Sequence, residues 1–146
     1  MKETLYSLNE VPTLVKETIA PQMQKKHIWT FQGPLGAGKT TLIQEILKQR
    51  GITQQVVSPT YSYVQSYVTS AGEVFHHFDL YRLNNETEFF EMGFDQYLEG
   101  EGVWAFIEWP DRIPNYLAEK KVHKVLNSCT IGYVVSDFHQ RVLKIF

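Results

Sequence analysis

The sequence predicts an α/β protein, a three-layer sandwich on a mixed, partly antiparallel sheet. Short apolar runs of strand character interleave with segments of helical period. One of these runs, Ile28-Trp29-Thr30-Phe31, feeds a glycine-rich turn that opens a helix. Another, Val103-Trp104-Ala105-Phe106-Ile107, is apolar at every position, as in a central strand covered on both faces.

The elements follow in order. Ser7 and Glu10 have capping-box spacing, and Leu8, Val11, Leu14, Val15 and Ile19 then recur at helical intervals. Pro12 suits a first turn, and Pro21 limits how far that helix runs unbroken. After the 28–31 strand, Leu42, Ile43, Ile46 and Leu47 form the apolar stripe of a helix from Lys39 to Arg50, stopped by Gly51. Gln55-Val56-Val57 suggests a strand before the loop Ser58-Pro59-Thr60. Tyr61 to Val68 and Glu73 to Tyr81 read as an antiparallel hairpin around Thr69-Ser70-Ala71-Gly72. Asn85 with Glu88 marks a further helix start, and Phe89, Met92, Phe94 and Tyr97 supply its apolar side. Val103 to Ile107 follows, ended by Glu108. Asp111-Arg112-Ile113-Pro114 reads as a loop, and Val122 to Leu126, Ile131 to Val135 and Arg141 to Ile145 as closing strands.

Composition narrows the function classes. The 146 residues are 43% hydrophobic and 14% aromatic, enough for a substantial core in one domain spanning 1–146 without disulfides. Fourteen basic and sixteen acidic residues give a net charge of −2, so no global basic field draws the chain to nucleic acid or anionic membrane. A single cysteine, Cys129, excludes an internal disulfide framework and a four-cysteine zinc site. The first ten residues lack the apolar core of a secretory signal, and the longest apolar run is far short of the ~20 residues that span a bilayer. The expectation is one soluble cytoplasmic domain with no membrane role.

Gly33-Pro34-Leu35-Gly36-Ala37-Gly38-Lys39-Thr40 matches G-x-x-x-x-G-K-[ST] at every specified position. The glycines let the backbone turn tightly with its N–H groups aimed at phosphate oxygens. Lys39 places a positive charge against the outer phosphates, and the Thr40 hydroxyl can ligate Mg²⁺. At average residue usage the pattern arises by accident in roughly one chain of this length in a few hundred. The preceding strand and following helix reduce that further, and the fold class sharpens to a P-loop NTPase-like sandwich. A dinucleotide fingerprint fits less well, because Thr41 stands where its third glycine belongs.

Such a loop needs a carboxylate near the metal, at the end of an apolar strand. Glu108 fits best; the other reading is that it marks where the strand reaches solvent. Asp79 is a second candidate. Alternation puts Val74, His76, Phe78 and Leu80 on one, mostly buried face, and Phe75, His77, Asp79 and Tyr81 on the other. That second group could orient a water, or form a polar network holding two strands together. His76 and His77 point oppositely and make a poor chelating pair. Thr60 could be the threonine of a switch-like loop that senses Mg²⁺ and γ-phosphate, but on spacing alone an ordinary turn fits better. Trp109 reads as either a packing residue or a ring near bound nucleotide.

With these residues assembled, the chain resembles the TsaE (YjeE) family, small bacterial P-loop ATPases required to make threonylcarbamoyladenosine next to the tRNA anticodon. The resemblance runs from about Leu8 to the last strand. It rests on Leu35-Gly36-Ala37-Gly38-Lys39-Thr40-Thr41, Ser58-Pro59-Thr60-Tyr61, His77-Phe78-Asp79-Leu80-Tyr81-Arg82-Leu83 and Glu108-Trp109-Pro110, in that order. It implies that the segment Leu35 to Thr41 binds ATP and that Thr40 with Glu108 holds Mg²⁺. It also implies functional roles for Thr60, Asp79 and Trp109. The family works with TsaB and TsaD, the latter transferring the threonylcarbamoyl group to tRNA, so tRNA is reached through that complex. Pro34 departs from the family, where an acidic residue is common, and the tail is short.

Three other classes compete. A small-molecule kinase commonly clamps its substrates with several arginines on a lid, whereas Arg50, Arg82, Arg112 and Arg141 are spread along the chain. A regulatory GTPase needs an Asn-Lys-x-Asp stretch, which is missing. A scaffold that binds ATP without cleaving it is opposed only by Asp79 and Glu108. The expectation is a slow Mg²⁺-dependent ATPase in which Lys39, Asp79 and Glu108 carry the chemistry and a partner accelerates turnover. The run Lys120-Lys121-x-His123-Lys124 reads as a solvated helix end or strand approach ahead of a contact for tRNA or an acidic partner, and Phe89, Phe90, Phe94 and Tyr97 read as core ahead of a partner-docking patch.

Overall fold

The computed structural model describes residues 2–24, 26–122, 126–134 and 136–146. Among them, seven strands form one sheet in the order β1-β7-β6-β2-β5-β4-β3. β2 (Ile28–Gln32) lies at its centre, parallel to both β5 (Val103–Glu108) and β6 (Leu126–Val134). β4 (Val74–Asp79) continues the parallel part beside β5. β3 (Val64–Val68) closes one edge antiparallel to β4; β7 (Asp137–Ile145) and β1 (Lys2–Ser7) close the other, also antiparallel. The sheet is therefore mixed, as the sequence predicts.

Alternation along the central strands sends side chains to two cores. Trp29, Phe31, Phe75, Trp104 and Phe106 pack on one face with Val11, Leu14, Val15 and Ile19 and with Leu42, Ile43, Ile46 and Leu47. The second set of four comes from α2 (Lys39–Gln49), whose stripe repeats at the i, i+1, i+4, i+5 positions of one helix face. Ile28, Phe78, Ala105 and Ile107 face the other way, against Phe89 of α3 (Glu86–Glu91) and Tyr116 and Leu117 of α4 (Pro114–Val122). Helices thus cover both faces, which is why β5 is apolar from Val103 to Ile107. This is the expected three-layer arrangement.

The N-terminal helix forms, but its hydrogen bonding changes along the run: a tight turn at Leu8–Glu10, α1 (Val11–Leu14), a wider π-type stretch at Val15–Ile19, then a tight turn at Ala20–Gln22. Pro21 sits in that last turn, where a missing N–H costs little. The Glu10 carboxylate accepts from the Ser7 N–H and hydroxyl at 2.8 and 2.7 Å. Asn85 caps α3 by accepting from the Glu88 N–H at 3.0 Å.

Several expectations are corrected. Gln55-Val56-Val57 is not a strand; the segment runs past α2, where the Val56 carbonyl accepts from the Gln44 side-chain amide at 2.9 Å. The hairpin's first strand starts at Val64 rather than Tyr61, after Tyr63 takes a left-handed backbone with φ 63°. The expected loop at 111–114 is a tight turn at Pro110–Arg112 followed by α4, with Pro114 in the first helical position that proline favours. Val122 therefore ends a helix, and β6 begins at Leu126. β1 had no sequence signal beyond Tyr6, the single buried residue of an edge strand. Phe89 and Phe94 are core, while Phe90 and Tyr97 stay partly exposed. His123, Lys124 and Val135 lie outside the described residues. Among the described residues, no helix is long and apolar enough to cross a membrane.

Candidate functional site

The chain leaves β2 at Gln32 and turns through the glycine loop into α2. Gly38 makes that entry, with a left-handed backbone (φ 102°) that a side chain would strain. The Pro34 carbonyl accepts from the Ala37 N–H at 3.2 Å, closing a tight turn. Pro34 thus contributes its carbonyl, and its missing N–H is no loss to this turn. Ala37 is buried and faces the core, whereas Leu35 is 75% exposed at the rim. A cleft of about 390 Å³ opens above the loop.

Lys39 reaches back over the loop. Its ammonium donates to the Gly33 and Pro34 carbonyls at 2.8 and 2.9 Å and lies 4.1 Å from the centre of the Trp109 ring. Burial pushes its pKa down, and the carboxylates of Glu108, Asp79 and Asp111 oppose that shift. The Trp109 ring is brought there by its backbone. Trp109 follows β5 with φ 60°, a conformation that costs a bulky residue roughly 1–3 kcal/mol and turns the chain sharply. The ring also packs on Tyr81, with centroids 4.9 Å apart. The ring thus packs against Tyr81 and the core beneath it and also lines the cleft beside Lys39.

Glu108 is the last residue of β5 and only 2% exposed, so it does not mark an emergence into solvent. Its Oε1 accepts from the Thr40 hydroxyl at 2.8 Å and lies 2.8 Å from His77 Nε2. Asp79 pairs with Glu108 across β4 and β5, placing two carboxylate side chains together on the face shared with α2. Asp79 has its own donors: Ser58 and Thr60 hydroxyls on Oδ2 at 3.0 and 2.8 Å, and the Tyr81 N–H on Oδ1 at 3.1 Å. Thr60 is therefore tied into the site rather than standing apart in a turn. On β4 itself both faces are covered, since Phe75, His77 and Asp79 are buried as well as His76 and Phe78.

Gly36, Gly38, Lys39, Thr40 and Thr41 line the cleft along the loop and α2; Thr60, Asp79, Glu108 and Trp109 line it opposite, and Leu35 at the edge. Of the sequence-derived candidates only Ala37 is turned away. Sequence reasoning missed three contributors. Ser58 and Arg82 line the same cleft, with the Arg82 guanidinium stacked 4.6 Å from the Tyr61 ring. Arg141, on β7, donates its Nε–H to the Ala37 carbonyl at 3.1 Å. The arginines are thus less dispersed than their spacing suggests. Alternation groups His77 with Asp79, but its hydrogen-bond partner is Glu108.

The chemistry of this donor set suits a phosphate chain with a hard divalent cation. The helix N-terminus and loop offer N–H groups and one ammonium. Thr40 gives its proton to Glu108, so the lone pairs of its oxygen stay available to a metal, and Mg²⁺ commonly takes only one or two protein ligands.

A central parallel strand, a glycine turn, a helix and a carboxylate ending the adjacent strand define the P-loop class of α/β sandwich. Residues 6–132 match the family model described as threonylcarbamoyl adenosine biosynthesis protein TsaE, and the chain belongs to the TsaE family. It is 41% identical over 103 residues to the tRNA threonylcarbamoyladenosine biosynthesis protein TsaE of Synechocystis sp., covering 67% of this chain and 63% of that protein. The protein of the same name from Rickettsia conorii is 36% identical over 115 residues, covering 78% of this chain and 63% of the relative. The Bacillus subtilis one is 34% identical over 99 residues, at 68% and 60%. The chain thus matches about three fifths of the length of these relatives. The crystal structure of Bacillus subtilis YdiB has the same fold, with a TM-score of 0.65 and 24% identity over 99% of this chain and 84% of that one.

Proposed function

We propose that this chain is a slow Mg²⁺-dependent ATPase that acts in the formation of threonylcarbamoyladenosine in tRNA, together with a TsaB–TsaD type complex. Membership of the TsaE family supports the pathway. The ATPase part is carried by one observation, the 2.8 Å hydrogen bond that sets the Thr40 hydroxyl against Glu108 at the end of the glycine loop.

In this reading the backbone from Gly36 to Thr41 grips the phosphates, and Lys39 exchanges the Gly33 and Pro34 carbonyls for phosphate oxygens. Thr40 and Glu108 hold Mg²⁺, which when bound neutralises charge on the phosphate chain. Asp79 places the attacking water, with Thr60, bonded to the same carboxylate, reporting the γ-phosphate. Trp109 covers Lys39 and excludes solvent from that side. In this reading Arg141 stays engaged with the loop backbone and Arg82 stays stacked on Tyr61 at the cleft wall, and neither is aimed at the outer phosphate without a partner. P-loop hydrolases without such help turn over at roughly 10⁻⁴ to 10⁻² s⁻¹, and an arginine supplied in trans adds about 10³–10⁵-fold.

Hydrolysis of Mg²⁺-ATP and Mg²⁺-GTP by the pure chain, with and without a TsaB–TsaD pair, tests this. The expected result is slow ATP turnover that the pair accelerates. Turnover above ~1 s⁻¹ by the chain alone, or none with the partners present, overturns it.

A further inference from the structure

Glu108 and His77 meet in the driest part of the site. His77 has no exposed surface, and its Nε2 stands 2.8 Å from Glu108 Oε1. In a hydrogen bond to a carboxylate oxygen the ring donates, so His77 serves Glu108 from Nε2. The other ring nitrogen, Nδ1, is buried and without a hydrogen-bond partner among the described residues. Among the described residues the imidazole thus makes one hydrogen bond, to Glu108, and no other. A phenyl ring in the same slot would fill the space without leaving a polar atom unpaired.

The sheet explains why a second donor matters. Asp79 and Glu108 are direct neighbours in register, and like charges side by side repel. Asp79 is restrained by three donors of its own. Glu108 has Thr40 from α2 and His77 from β4, both on Oε1. One donor on a rotatable hydroxyl sets a distance; two donors from different elements set a position. Held at Oε1 from two elements, the carboxylate of this cleft-lining residue is restrained more than one hydroxyl could restrain it.

We propose that His77 is a positioning residue that holds the Glu108 carboxylate in the rotamer the divalent-cation site requires. The proposal rests on the reading of Thr40 and Glu108 as that site. His77 touches neither nucleotide nor metal; it acts through Glu108, as outer partners of metal-ligating groups do.

The test compares wild type with His77→Phe and His77→Leu, which remove the donor, and His77→Gln, whose amide keeps one. Affinity for a fluorescent ATP analogue is titrated in EDTA and in Mg²⁺, alongside kcat, KM and the melting temperature. Both donor-less variants should bind the analogue in EDTA as wild type does. Their Mg²⁺-dependent gain in affinity and their kcat should fall by roughly 10–100-fold, and His77→Gln should recover much of both. Either donor-less variant that folds suffices for the comparison. A folded variant with wild-type Mg²⁺ dependence, or one weakened equally in EDTA, overturns the role of His77 alone. Wild type that shows no Mg²⁺-dependent binding overturns the metal site and this inference together.

Discussion

Arg141 and Ala37 are 104 residues apart in sequence and joined by a 3.1 Å hydrogen bond from the guanidinium to the backbone of the glycine loop. The donor comes from β7, an element outside the central parallel strands. The Arg141 guanidinium also lies 5.4 Å from the Tyr133 ring, so the β6–β7 hairpin braces the loop from the side opposite Trp109.

Replacing Arg141 with Met should loosen that brace while keeping most of the packing stem. The lost bond leaves a peptide carbonyl short of a strong donor, worth about 1.5–3 kcal/mol. A fall in melting temperature of several degrees is expected, with faster amide exchange at Ala37 and Gly38. Unchanged exchange there would mean the brace is idle.

Lys39 and Glu108 should separate binding from turnover. Lys39→Ala should weaken nucleotide affinity by about 10–100-fold, the scale of a charged hydrogen bond. Glu108→Gln should leave metal-free binding near wild type and cut Mg²⁺-dependent turnover much more. Isothermal titration beside a phosphate-release assay distinguishes the two, and equal activity of either variant removes that residue from the mechanism.

His76 gives the fold an acid limit. Buried with its Nδ1 2.7 Å from the Ser66 hydroxyl, it has its pKa lowered by burial from 6.5. Below pH 6.5 the unfolded chain takes up the proton first, so unfolding is favoured as pH falls through that range. Melting temperatures between pH 7 and pH 5 should decline less steeply in His76→Gln. Parallel slopes would assign the acid sensitivity to other groups.

Cys129 should behave as a clock for unfolding. Burial pushes its thiol up to about 12 from 9.0, so almost no thiolate is present in the folded chain at neutral pH. Thiol reagents at pH 8 should label it only as fast as the chain opens, and labelling should accelerate with denaturant along the unfolding curve. Above pH 9 the unfolded chain loses the proton first, so this group lowers stability as pH rises towards 12. Labelling at the rate of a free thiol in the native state would contradict the burial.

What the sequence disclosed and what it hid divide along the same physical line. The glycine loop, β2, β5 and Glu108 are local: each is a short pattern whose residues do their work beside one another in the chain. The 58–60 loop and Asp79 were also recognisable as blocks, although the bonds joining them span about twenty residues and left no trace in spacing. β1 was invisible because an edge strand here buries only Tyr6. α4 is hard to read because its described buried residues, Tyr116 and Leu117, complete an i, i+3, i+4 set only with Ile113, which falls in the Asp111–Pro114 segment that reads as a loop, although Pro114 stands where a helix begins. Gln55-Val56-Val57 has a strand's composition but enters no sheet, and its Val56 carbonyl is taken by Gln44 instead. Arg141 and the His77–Glu108 bond are tertiary events. Their side chains carry no marker of the element they will meet.

Gly33 opens the phosphate motif, yet its constraint comes from next door. A β-carbon there would overlap the Ile131 carbonyl oxygen of β6. The first glycine of the signature is thus demanded by neighbouring masonry, whatever the cleft contains. A chain disarmed for control experiments should be altered at Lys39, because a substitution at Gly33 would prise two central strands apart and yield a broken protein in place of a silent one.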